Sequence, residues 1–78
     1  MIDKIVGENI KNARKAKGMR QQQLANRLEI SRIAVSNMEN GKNKISIYRL
    51  YEVCFYLNIE LSELIDGCRN SIYEESKW

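Results

Sequence analysis

Four side chains of one short segment, Arg32, Ile33, Ser36 and Asn37, lie at i, i+1, i+4 and i+5, the spacing that gathers residues on one face of an α-helix. Their chemistry suits the major groove of duplex DNA. An arginine forks to guanine, an asparagine donates to and accepts from adenine together, a serine bonds either way, and an apolar group meets the thymine methyl. Taken by themselves, the same four residues also describe an ordinary solvated helix face, on which a single exposed isoleucine needs no explanation.

The segments that must hold them are legible from the apolar period. Val35 and Met38, three apart, form the inward side of the same helix, so the four polar-face residues are turned out. Just upstream, Leu24, Ala25 and Leu28 repeat at three- and four-residue spacing, and Ile30 stands between the two segments. Ser31 sits where a helix N-cap is wanted, since its hydroxyl can accept from a backbone N–H that otherwise lacks a partner. Asn40-Gly41 is a stop signal, because both residues tolerate the left-handed conformation that closes a helix. Two helices in tight succession are therefore predicted, the second running about nine residues from Arg32 to Asn40.

The stretch Gln21 to Lys42, QxxLAxxLxISRxxVSxMENGK, resembles the helix-turn-helix of the phage repressor and Cro family, the lambda/434-type or XRE-type transcriptional regulators, and the resemblance runs from about Val6 to Ile65. It places Ala25 at the small site where the two helices touch, and Val35 at the buried site of the recognition helix. By the resemblance, Arg32, Ile33, Ser36 and Asn37 read bases, while Gln21 touches a phosphate and braces the recognition helix. Lys42, Asn43 and Lys44 fall in the family's backbone-contacting loop, where lysine adds affinity without reading sequence. Arg14, at the end of the first helix, is expected to bridge to Glu39 of the ENG motif and lock the recognition helix to the first. One position departs from the pattern. Glu29 stands where the turn usually has glycine, and a non-glycine residue at positive φ costs on the order of 1 kcal/mol.

Composition narrows the class. Seventy-eight residues make one small domain, able to bury roughly 60% of its unfolded surface. Apolar residues at 44% and charged residues at 29% belong to a folded globular chain. There is no histidine, and the two cysteines, Cys54 and Cys68, lack CxxC spacing, so a zinc site or a histidine-based triad has no ligands to draw on and neither metal nor cofactor is expected. No constellation supports catalysis, so the chain is not read as an enzyme, and no small-molecule ligand is evident. A net charge of +3 favours an anionic partner without establishing one. No apolar run reaches the roughly 20 residues of a membrane span, and MIDKIVGENIK lacks the apolar core of a signal peptide, so a cytoplasmic chain is expected.

Taken in order, Asp3 is expected to cap a first helix running to about Lys17, with Val6, Ile10 and Ala13 inward and Gly18 closing it. Ser46 caps a fourth helix, whose inward stripe is read as Ile47, Leu50, Val53, Cys54 and Leu57. Tyr48, Tyr51 and Phe55 form a second apolar face, with Tyr56 adjoining it. A helix this apolar around its girth needs cover, either from the tail or from a second subunit. Glu60 to Ile65 is a short fifth helix, closed by Asp66-Gly67. Residues 1–67 are the expected DNA-binding domain, and 68–78 a tail that either forms a sixth short helix on the aromatic face or frays.

The expected fold is all-α, a compact lambda repressor-like bundle of five short helices, with helices two and three as the DNA-reading unit. The expected function is a sequence-specific regulator of transcription, a repressor-type homodimer on double-stranded DNA. One recognition helix covers too few base pairs for a specific site, and two about 34 Å apart read successive major grooves of a near-palindrome. By the resemblance, Tyr56, Ile59, Leu61 and Leu64 supply the dimer interface. An antitoxin of a toxin pair or a restriction-modification controller would use the same fold.

Overall fold

Each helix boundary in the computed structural model, which describes residues 2–69, has a local cause in the sequence. The order is α1 (Ile2–Ala16), α2 (Gln21–Leu28), α3 (Arg32–Glu39), α4 (Ile47–Leu57) and α5 (Leu61–Leu64), an all-α bundle with no strand among the described residues. None of these helices is long and apolar enough to cross a membrane.

Asp3 does not cap α1. It lies inside the first turn, where a carboxylate still gains from the positive end of the helix dipole. Arg14 and Lys15 occupy the last turn, and Gly18 at φ +68° lets the chain reverse. The N-cap of α2 is Arg20, whose backbone N–H donates to the Gln23 side chain at 2.7 Å. Gln23 is thus a capping residue, rather than the plain solvated glutamine its place in a Gln run suggests. Ser31 and Ser46 cap α3 and α4, their hydroxyls accepting from the N–H groups of Ala34 at 3.0 Å and Arg49 at 3.1 Å.

Besides α1, three helix ends use the left-handed region in different ways. Glu29 (φ 58°) closes α2 and Asn58 (φ 55°) closes α4. At each, the next N–H reaches back across the turn, Ile30 to the Ala25 carbonyl at 3.0 Å and Ile59 to the Cys54 carbonyl at 3.1 Å. At the end of α3 the expectation needs correcting. The helix stops at Glu39, Asn40 sits at φ −90° and ψ 1°, and the left-handed residue is Gly41 at φ +70°. Glycine is required there for space as well, since a Cβ would stand 2.6 Å from the Lys4 Cα.

The core lies where α1 packs on α3, α4 and α5 and where α2 packs on α3 and α4, with Ile10, Leu24, Val35, Val53, Leu57 and Leu64 fully buried. Gly7 lets α1 press against the end of α3, because a Cβ there would fall 2.4 Å from the Met38 carbonyl oxygen. Asn9 donates its amide to the carbonyls of Leu64 and Asp66, both at 2.9 Å, and so ties the end of α5 to α1. Two expectations about apolar residues fail. Ile47 is 60% exposed, because it is the first residue of α4 and projects beyond the core that Leu50, Val53 and Leu57 enter. Leu64, expected at a dimer interface, is wholly enclosed by its own chain and has no surface to offer. Cys68 is buried too, so the packed unit extends past residue 67. The expectations for the rest of the tail, residues 70–78, lie outside the described residues.

Candidate nucleic-acid interface

Two contacts set the pose of α3. Its inner side, Val35, Met38 and Glu39, is buried, and its N-terminus starts directly after the Glu29–Ser31 turn from α2. Arg32 and Ile33 are exposed, Ile33 by 62%, and Ser36 and Asn37 are half-buried on the same outer side. Asn40 continues that side one turn on, and its amide donates to the Ser36 hydroxyl at 3.4 Å. Extending the face period by one more step, from Arg32 to i+8, is the signal that would have added Asn40 to the candidate set.

Beneath this face runs a chain of polar contacts. The Arg14 guanidinium holds Glu39 in a two-point contact, Nε to Oε2 at 2.7 Å and a terminal nitrogen to Oε1 at 3.1 Å. Its remaining terminal nitrogen donates to the Met19 carbonyl at 2.7 Å. Both charges are buried, and among the described residues no buried side-chain polar atom lacks a partner. Gln21 joins this pair to the surface. Its amide nitrogen donates to Glu39 Oε1 at 3.0 Å, which turns its carbonyl oxygen outward to accept from Arg32 at 3.2 Å. Four side chains from three helices are therefore linked, Arg14 to Glu39 to Gln21 to Arg32, and the last is a candidate base reader.

The loop after α3 brings more positive charge to the same region. Lys42, Asn43 and Lys44 are all exposed. Asn43 and Lys44 line one shallow depression with Ala34 and Met38 of α3 and Ser46 and Arg49 of α4. Arg49, which periodicity does not single out, donates to the Leu28 carbonyl at 3.3 Å and pairs with Glu52 at 2.8 Å, so it fastens α4 to the end of α2. From residue 20 to 49 the chain carries six basic and two acidic side chains, and from 50 to 69 one basic and four acidic. Residues 1–19 carry five basic and two acidic side chains, so the excess of positive charge spans the chain as far as the first turn of α4, the candidate readers included, and reverses beyond it.

The expected dimer residues Tyr56, Ile59 and Leu61 are half-buried and pack against the core, while Leu64 is inside it. Neither thiol is poised for reaction. Burial raises the pKa of Cys54 and of Cys68 above the usual thiol value, which keeps both protonated at neutral pH.

Comparison with known proteins places this geometry in context. A helix-turn-helix family model matches residues 10–64. No curated protein matches the chain significantly. Among solved structures, the restriction-modification controller protein C.AhdI from Aeromonas hydrophila is 30% identical, with a TM-score of 0.73 over 78% of this chain and 92% of that one. The clp gene regulator ClgR from Corynebacterium glutamicum superposes with a TM-score of 0.83 at 22% identity, over 92% of this chain and 94% of that one. At that identity the likeness speaks for the fold.

Proposed function

Because the chain belongs to the helix-turn-helix family of phage-repressor and Cro-like DNA-binding regulators, we propose that it regulates transcription by binding a near-palindromic duplex operator as a homodimer, with Arg32, Ile33, Ser36 and Asn37 reading bases. The observation that carries this reading is the outer face of α3, where these four side chains stand over a helix whose other side is buried. Lys42, Asn43 and Lys44 contact phosphates and set the register of docking. Gln21 holds Arg32 in place from below and shares the phosphate role through its position at the start of α2, where backbone N–H groups favour an anion.

Selection from a pool of random duplexes tests the proposal. The expected product is a two-fold motif with half-sites about one helical turn apart. Recovery of unenriched sequence, or of a single half-site, would overturn it. A second reading, control of a restriction-modification system, is favoured by the 30% identity to C.AhdI, a controller protein matched over 92% of its length. A methyltransferase gene beside this one, with the selected motif in its promoter, is the outcome that reading requires.

A further inference from the structure

The outer face of α4 is apolar and uncovered by any described residue. Ile47 is 60% exposed, Tyr48 71%, Tyr51 58% and Phe55 77%. Together they leave roughly 400–600 Å² of surface on one side of the helix, taking about 150–250 Å² for each aromatic side chain, which is the size of the largest patch on a typical soluble monomer. The face also has a definite edge. The Phe55 ring meets that of half-buried Tyr56 edge-on, with centroids 5.2 Å apart and planes at 79°.

We propose that this face receives a second copy of the same chain, so that two α4 helices pack through Tyr48, Tyr51 and Phe55 about the two-fold axis of the dimer. The inference rests on the homodimer reading above and deepens it by naming the surface. Area is the first reason. A standard interface takes about 800 Å² from each partner, and Ile47, Tyr48, Tyr51, Phe55 and the rim of Tyr56 supply roughly half to three-quarters of that, enough for its apolar centre. Leu64 is enclosed by its own chain and contributes none. Charge is the second reason. A two-fold interface brings each patch against itself, so it must not repel its own image. The sole carboxylate of α4, Glu52, is paired with Arg49 at 2.8 Å, and the four patch residues are uncharged. The outer side of α3 and the lysine loop fail the same criterion, because two copies of a basic surface repel.

Sedimentation of wild type, Tyr51→Lys and Phe55→Lys, with Asn12→Lys on exposed α1 as the control, tests the surface. The expected result is a wild-type dimer at micromolar concentration, a dissociation constant raised about tenfold or more by either α4 variant, and no change in the control. A wild-type dimer that both α4 variants retain at full affinity overturns the α4 interface and leaves the dimer reading standing. A wild-type chain that stays monomeric with and without operator DNA overturns both. If a lysine variant loses its helical circular dichroism, iodination of wild type, mapped by mass spectrometry to Tyr48 and Tyr51, decides instead. Protection that grows with protein concentration supports the proposal. Protection already complete in the monomer assigns the face to an intrachain cover, and full reactivity in the dimer leaves it to another partner; either result overturns it.

Discussion

The outer faces of α3 and α4 are built from the same plan and finished differently. Both helices start at a serine cap, both bury one side in the common core, and both carry an exposed isoleucine in the first turn, Ile33 and Ile47. On α3 the rest of the outer face is Arg32, Ser36 and Asn37, underpinned by a chain of polar contacts that ends in a buried ion pair. On α4 it is tyrosine and phenylalanine, and the polar contacts of that helix, Arg49 to the Leu28 carbonyl and to Glu52, fasten the helix and leave the aromatic side chains unheld. A surface that reads an anionic, patterned ligand needs its side chains held in register. One that meets an apolar copy of itself needs area. The contrast predicts that α3 fails when its supports are removed, whereas α4 fails only when its surface is charged.

The largest expected effect comes from removing the support. Glu39→Ala strands the buried Arg14 guanidinium, at a cost of about 3–5 kcal/mol, out of a total stability of about 4–12 kcal/mol for a chain of this length. Urea unfolding measures it. Arg32 also loses its tether, because Gln21 is oriented by Glu39. A loss under about 1 kcal/mol would mean that the pair is ornamental and that the contrast between the two faces is only one of composition.

Next in size is Asn37→Ala, which should weaken the selected operator by about 1–3 kcal/mol and leave non-specific duplex nearly untouched. Competition binding against both duplexes separates the two terms. The same substitution made on the other face, Tyr51→Ala, is expected to affect both duplexes alike by weakening the dimer. If Asn37→Ala and Tyr51→Ala gave the same pattern, the division of labour between α3 and α4 would be lost.

How far the sequence carries one toward these faces differs between the two helices. The outer face of α3 follows from Val35 and Met38 alone, because an interior helix period has a single solution. The exposure of Ile47 does not follow from periodicity. It sits three residues before Leu50 and fits the inward stripe, yet a first-turn residue projects past the end of the core it would enter. Leu64 shows the converse. A hydrophobic residue in a four-residue helix looks like spare interface, and only the folded packing of α5 on α1 and α4 reveals it as core. The pairing of Arg14 with Glu39 bridges 25 positions, and local spacing has no means of registering two such distant residues; resemblance supplied it. Gly7 and Asn9 answer close approaches between α1 and later helices, which no local pattern encodes.

A moderate effect is expected at the turn that aims α3. Glu29 holds φ 58° without glycine's freedom, so Glu29→Gly should stabilise the fold by about 1 kcal/mol, less what glycine adds to the flexibility of the unfolded chain. Asn58→Gly, at the matching turn after α4, should gain less, since asparagine tolerates this region better than glutamate. Thermal melts of the two variants compare them directly. A Glu29→Gly variant less stable than wild type would show that the Glu29 side chain makes a contribution of its own to the turn.

The smallest effect, and the sharpest contrast between the faces, is electrostatic. Lys42 and Lys44 are exposed, lie in the loop beside α3, and belong to the segment with six basic and two acidic side chains. If each neutralises one phosphate, Lys42→Ala should lower the slope of log K against log salt by about one unit per contact made by a monomer. Every duplex sequence should weaken nearly equally, since phosphates carry no base identity. Tyr48→Ala, a few residues further along the chain on the α4 face, carries no charge to remove and should leave that slope unchanged even if affinity falls through weaker dimerisation. Binding isotherms at four or five salt concentrations are enough to tell the two apart. An unchanged slope in Lys42→Ala would take that lysine off the DNA. A reduced slope in Tyr48→Ala would mean that the first turn of α4 lies against the phosphate backbone, and that the aromatic face begins further along the helix, at Tyr51.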